Sequence, residues 1–125
     1  MEISAVAVTA ADLSRAVAFY ELLGFRFPAF GPEEVHVQTE GTPSLMIDEH
    51  AFMTGLLGEP PRPGNHAAIA LLADGPGGVD EAVGRVSAAG HTVVSPPFDA
   101  PWGQRYATVA DPDGYRIDVF APLTS

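Results

Sequence analysis

At 125 residues the chain has the length of one ordinary domain, and 46% hydrophobic against 18% charged residues gives it the means to bury a core rather than stay disordered. Sixteen acidic residues face six basic ones, all six of them Arg, for a formal charge of -10, which argues against a nucleic-acid partner. With no Cys and no Lys, disulfides, thiolate metal sites, cysteine nucleophiles, Schiff-base chemistry and P-loop phosphate binding are excluded together.

Met1 leads into an alternating stretch without a basic leader, and no apolar run reaches the roughly 20 residues of a membrane span, so a soluble cytoplasmic protein with no membrane partner is expected. Residues 3–8 read as a strand in which Val6 and Val8 suit a packed face while Ala5 and Ala7 leave space. A helix follows over about residues 12–23, with Leu13, Val17, Tyr20 and Leu23 on one stripe, Asp12 as N-cap and Gly24 just past the end. The Phe-rich stretch of Phe25, Phe27 and Phe30, broken by Pro28, Gly31 and Pro32, predicts a further strand, and residues 35–39, 40–43 and 45–48 predict a hairpin.

Gly55, Gly58, Pro60, Pro61, Pro63 and Gly64 mark residues 51–65 as a linker between a first module (1–50) and a second (66–125) within one domain. The order of elements then repeats: a strand at 67–72, a Gly-rich turn at 75–78, a helix at 79–89 stopped by Gly90, a strand at 91–94 and a final hairpin about Asp111, Pro112, Asp113 and Gly114. Superposing Gly24 on Gly90 sets Val17 on Val83 and Ala16 on Ala82, a pattern expected of duplicated strand, helix and three-strand units, each sheet burying one face under its helix.

The hairpins carry the chemistry on their other face. In the last one Ala107, Val109, Ile117 and Val119 share a parity, while Trp102, Gln104, Tyr106, Thr108, Arg116, Asp118 and Phe120 share the opposite one. In the first, Val35, Val37, Leu45 and Ile47 oppose His36, Gln38, Met46 and Asp48. Rings mixed with hydrogen-bonding groups suit a ligand cavity, and the small residues Ala5, Ala7, Ala68 and Ala70 would keep its middle open. The alternative is that this parity simply faces solvent. Arg105 falls on the helix-facing parity, where a surface or subunit-interface ion pair is expected. His66 is either a surface residue at a strand entry or a cavity donor, and no Ser lies in a G-x-S-x-G elbow, which argues against a hydrolase.

The segments DLSRAVAFYELLGF (12–25) and WGQRYATVADPDGYRIDVFAPL (102–123) resemble the glyoxalase, bleomycin-resistance and dioxygenase superfamily, the vicinal oxygen chelate proteins. The resemblance implies an α+β fold of two βαβββ modules forming a cup-shaped incomplete barrel, in a homodimer that often exchanges modules. Metal-dependent members carry His or Gln on the first strand of each module and usually Glu on the last. Here the first ligand position falls on Ala5, which has no donor; the second on Met46 or Asp48; the third on Ala68, or on His66 if the strand slides by two residues; and the fourth on Asp118. No cofactor is therefore expected, although a rearranged site from His36, Asp48, His66 and Asp118 stays chemically open.

Within the superfamily the second segment looks most like the mitomycin-binding and related antibiotic-sequestering members, which hold a planar drug between aromatic side chains. That likeness implies a small-molecule antibiotic as partner, with Trp102 stacking on it and Phe30, Met46, Tyr106 and Phe120 adding apolar contact. His36, Gln38, Asp48, His66, Gln104 and Asp118 would supply its polar contacts, with Gln104, Arg105, His36, Gln38 and Asp118 bonding to quinone or carbonyl oxygens, hydroxyls and amines, and a cationic drug is the minor alternative that the acidic composition leaves open. The rival expectation is a lyase, isomerase or dioxygenase of the same fold that uses a metal or the Asp48 and Asp118 carboxylates.

Overall fold

The computed structural model describes residues 1–62 and 68–124. Local signals place the first helix where its cap demands. Asp12 holds extended backbone and its side chain accepts from the Arg15 N–H at 3.1 Å, so helix α1 starts at Leu13 and runs over Leu13–Leu22. At its far end the Gly24 N–H donates to Glu21 O and the Phe25 N–H to Tyr20 O, a two-bond cap that needs the positive φ of 97° at Gly24. Helix α3, Gly75–Ala88, closes in the same way, with Gly90 N–H on Ser87 O, His91 N–H on Val86 O and φ 86° at Gly90. The two helices thus share one terminus, and the aligned Ala16, Val17, Ala82 and Val83 are all buried.

The chain forms two compact units, Met1–Pro63 and Gly64–Ser125. In the first, strands β1 (Ala5–Ala10), β2 (His36–Gln38) and β3 (Ser44–Glu49) form a mixed sheet of order β1-β3-β2, with β1 parallel and β2 antiparallel to β3. Helix α1 packs on β3. The core of this unit holds Val8, Ala10, Val37, Leu45 and Ile47 from the sheet and Leu13, Ala16, Val17, Phe19 and Tyr20 from α1.

In the second unit β4 (Ile69–Leu72), β5 (Thr92–Ala100), β6 (Gln104–Ala110) and β7 (Arg116–Pro122) form a four-stranded mixed sheet of order β4-β7-β6-β5, with β4 parallel to β7 and the other pairs antiparallel. Helix α3 packs on β5, β6 and β7 and buries Val79, Ala82, Val83 and Val86 together with Ala107, Val109, Ile117, Val119 and Ala121. The fold is α+β with two small mixed sheets, and β1, β3 and β2 repeat the connectivity of β4, β7 and β6.

Four sequence expectations are corrected. The Phe-rich stretch joins no ladder, so among its described residues the first unit has no counterpart of β5. Phe25 is committed to the end of α1, with its N–H in the cap and its ring 6.2 Å from that of Tyr20, and Pro28 and Pro32 bring no backbone donor for a strand partner. The expected linker begins instead with helix α2, His50–Leu57, because only Gly55 of the chain-breaking residues lies inside it and Gly58 caps it, while the prolines come later. Helix α3 starts at Gly75 rather than 79, since Pro76 in a first turn has no N–H to satisfy. Strand β5 runs on past residue 94 through Pro96 and Pro97, which an edge strand with a register shift between Ser95 and Phe98 accommodates. The expected strand start at His66 and Ala67 lies outside the described residues.

The β6–β7 turn rests on one buried carboxylate. Asp111, 5% exposed, accepts from the N–H groups of Asp113 and Tyr115, each at 2.9 Å. Asp111→Ala leaves both donors without that acceptor, and urea denaturation should show a stability loss of about 2 kcal/mol.

Candidate aromatic and carboxylate site

Period-two geometry, with α3 covering one face of the second sheet, sends the alternate residues of β6 and β7 to the opposite face. The ladder aligns Phe98 with Tyr106, Tyr106 with Phe120, and Phe120 with Leu72, so one transverse row across all four strands is aromatic or aliphatic. Trp102, in the turn joining β5 to β6, extends that row: its ring centroid lies 5.4 Å from Tyr106 and 6.1 Å from Phe98, edge-on to both, and Tyr106 stacks on Phe120 at 6.2 Å. Its indole N–H donates to Gln104 Oε1 at 2.9 Å, which fixes the ring although the residue is 59% exposed.

The next row pairs Ser95 with Thr108, Thr108 with Asp118, and Asp118 with Ala70. Asp118 is half-buried and gathers two hydroxyls, with Tyr106 Oη donating to Oδ2 at 2.6 Å and Thr108 Oγ1 donating to Oδ1 at 2.8 Å. Accepting the phenolic hydrogen holds it in place: the Tyr106 hydroxyl is pushed up to about 12, first by that bond, then by burial and by the Asp118 charge. Arg105 points elsewhere, donating to Asp80 on α3 and Asp99 on β5 at 3.0 Å each, the surface ion pair its parity predicts.

The first sheet carries a polar chain of its own. Register sets His36 opposite Asp48 and Gln38 opposite Met46, with Thr9 and Ala7 beyond them on β1. His36 Nδ1 lies 2.7 Å from Oδ1 of the buried Asp48, and Nε2 lies 2.9 Å from Gln38 Oε1. Both ring nitrogens therefore face acceptors, the arrangement that suits the imidazolium. The His36 imidazole is raised above its ordinary value, first by the hydrogen bond to Asp48, against a lowering by burial, with smaller raising effects from Gln38 and the Asp48 charge.

Trp102, Gln104, Tyr106, Asp118 and Phe120 thus come together on one face of the second unit, and His36, Gln38, Met46 and Asp48 on one face of the first. Phe30 lines a separate cleft of about 510 Å³ in the first unit, walled by Asp12, Ser14, Pro32, Glu34 and Glu49. His66 lies outside the described residues. Sequence reading missed Phe98 and Leu72 as members of the aromatic row, and Thr108 as a fixed partner of Asp118. Phe98 was hidden by the two prolines before it, which resemble the end of a strand.

The donor chemistry does not fit a metal ion among the described residues. Ala5 and Ala7 on β1 and Ala70 on β4 offer no ligand atom, and no three His, Asp or Glu side chains converge among the described residues.

The model of the Glyoxalase/Bleomycin resistance protein/Dioxygenase superfamily matches residues 2–119. The chain belongs to this superfamily. No curated protein matches it. Among solved structures it is similar to a glyoxalase/bleomycin resistance protein/dioxygenase from Nocardioides, with 26% identity, 100% of this chain and 85% of that chain covered, and a TM-score of 0.74. It is also similar to TioX from Micromonospora sp. ML1, with 27% identity, 98% and 100% covered, and a TM-score of 0.65. A glyoxalase-related enzyme from Fulvimarina pelagi shares the fold at a TM-score of 0.83, with 23% identity and 96% and 87% covered. No helix among the described residues is long and apolar enough to cross a membrane.

The raised imidazole fixes a pH dependence. A group whose folded value exceeds its unfolded value of about 6.5 stabilises fully below that value and loses the contribution as pH rises through the folded one. Urea titrations from pH 5 to 9 should therefore show wild-type stability falling relative to His36→Asn as pH rises past about 6.5; parallel curves for the two proteins would contradict the His36–Asp48 pair.

Proposed function

We propose that this superfamily member is a binding protein that sequesters a planar, largely hydrophobic antibiotic or related natural product, without turnover and as a homodimer. The observation that carries the reading is the row of exposed Trp102 and Phe98 with half-buried Tyr106 and Phe120, pre-oriented by edge and stacking contacts and by the bond from Trp102 to Gln104. Soluble chains rarely leave such a row to water without a use for it, and a flat ring system recovers both area burial and ring geometry there. The acceptor cluster at Asp118 flanks the row and orients what lies on it. The reading without turnover is supported by Ala70, which stands opposite Asp118 on β4 and offers no group for proton transfer.

The pair of His36 with buried Asp48 favours a second reading, an acid–base lyase or isomerase of the same superfamily, because a carboxylate on Nδ1 orients an imidazole for proton transfer.

Trp102 is the chain's one Trp and reports the binding directly. Titration with planar antibiotics should quench its fluorescence, and Trp102→Ala should weaken binding, read by equilibrium dialysis, by about 30-fold, equivalent to about 2 kcal/mol. No quenching across quinone and intercalator panels overturns the reading. Mass spectrometry of the recovered compound separates the two functions, since an altered mass would favour the enzyme. Sedimentation velocity on the same samples should give twice the chain mass.

A further inference from the structure

Resting on the binding face just proposed, the ligand's chemical class follows from where the hydrogens on that face point. The hydrogen of Tyr106 Oη goes to Asp118 Oδ2, that of Thr108 Oγ1 goes to Asp118 Oδ1, and the Trp102 indole N–H goes to Gln104 Oε1. Each of the two hydroxyls has a single hydrogen, so both oxygens are left with lone pairs to offer and nothing to donate. The carboxylate keeps its charge and its remaining lone pairs. The centre of the face is consequently an array of acceptors around one negative charge, its backbone positions one ladder row along β6 and β7 from those of Tyr106 and Phe120, with the Tyr106 hydroxyl reaching across to Asp118. A quinone or carbonyl oxygen placed there meets no hydrogen from Tyr106 or Thr108, contrary to what the family likeness implies.

Three donors remain on the same face among the described residues: the Ser95 hydroxyl stands opposite Thr108 on β5, and two others bound the site. The Gln104 amide nitrogen lies beside Trp102, and Arg116 sits one row beyond Asp118, opposite Ala110, with no ion pair to Asp118 among the described residues. Among the described residues the hydrogen-bond partners of Asp118 are Tyr106 and Thr108, not these three. Positive charge is favoured there by Asp118, by the faces of the aromatic rings and by the chain's formal charge of -10.

We propose that the face selects a planar aromatic cation, its ring system on the row of Trp102, Phe98, Tyr106 and Phe120 and its ammonium or amidinium group donating to Asp118, Tyr106 Oη and Thr108 Oγ1. A neutral quinone lacking an amine is a poor ligand, and an aromatic acid is excluded.

Three acridines of one shape test this: 9-aminoacridine, positively charged at neutral pH, acridine, which is neutral, and acridine-9-carboxylate, which is negative. Binding to the wild-type protein at low salt is read by equilibrium dialysis with Trp102 emission as a second signal. The expected order is 9-aminoacridine about tenfold tighter than acridine, with the carboxylate weakest, and the preference shrinking as salt rises. Asp118→Asn should bring the first two within about threefold while acridine itself still binds. Should that variant fail to fold, the order and salt dependence in the wild-type protein decide alone. Acridine binding as tightly as 9-aminoacridine, or a preference that survives Asp118→Asn intact, overturns the selectivity while leaving the binding face standing. If none binds, the selectivity and the binding face fall together, and Trp102 emission that instead changes with protein concentration assigns the face to contact between copies of the chain.

Discussion

The outward chemistry of the second unit depends on one constraint, the burial of Ala107, Val109, Ile117 and Val119 beneath α3. A strand's side chains alternate, so fixing these four on the inner face leaves Tyr106, Thr108, Asp118 and Phe120 no choice but the outer one. A slip of one residue in the β6–β7 pairing would bury Asp118 and expose Ile117, at the cost of a desolvated carboxylate and a lost core. The turn at Asp111 guards against that slip by tying the Asp113 and Tyr115 N–H groups to one side chain. Packing energy on one face thus becomes positional accuracy on the other.

The two units show how far duplicated scaffolds diverge. Both keep the two-bond helix terminus at Gly24 and Gly90, the small and β-branched stripe at residues 16–17 and 82–83, and a first strand parallel to the last. They differ where the fourth strand would form, since Phe25 is drawn to Tyr20 and into the cap while β5 runs on to Phe98 and thereby places a ring opposite Tyr106. Their outer faces differ too. One holds His36 between two acceptors, and the other holds an acceptor between two hydroxyls. On the proposed reading the second face takes the ligand, and His36 with Asp48 ties the short strand β2 to β3.

Much of this was legible in the residues. The parity of the final hairpin, the Asp12 cap, the helix stops at Gly24 and Gly90 and the surface role of Arg105 all follow from local rules that tertiary packing did not override. The superfamily was legible from two segments near the ends of the chain, which the match over residues 2–119 extends. Where local rules misled, Gly and Pro were weighed by number rather than by position: one Gly inside α2, one Pro in the first turn of α3 and two on an edge strand are all tolerated. The direction of the Tyr106 and Thr108 hydrogens was not legible at all, because a hydroxyl is donor or acceptor until its neighbour is known. On the proposed reading that direction narrows the expected ligand from one offering carbonyl oxygens, hydroxyls or amines to one bearing a cation.

Chemical-shift mapping during titration with 9-aminoacridine tests the binding face most directly. Side-chain resonances of Trp102, Tyr106, Phe98 and Phe120 should move together with Thr108, while Val109, Ile117 and Val119 under α3 stay in place. Shifts confined instead to the cleft of Phe30, Glu34 and Glu49, or to His36 and Gln38, would contradict it.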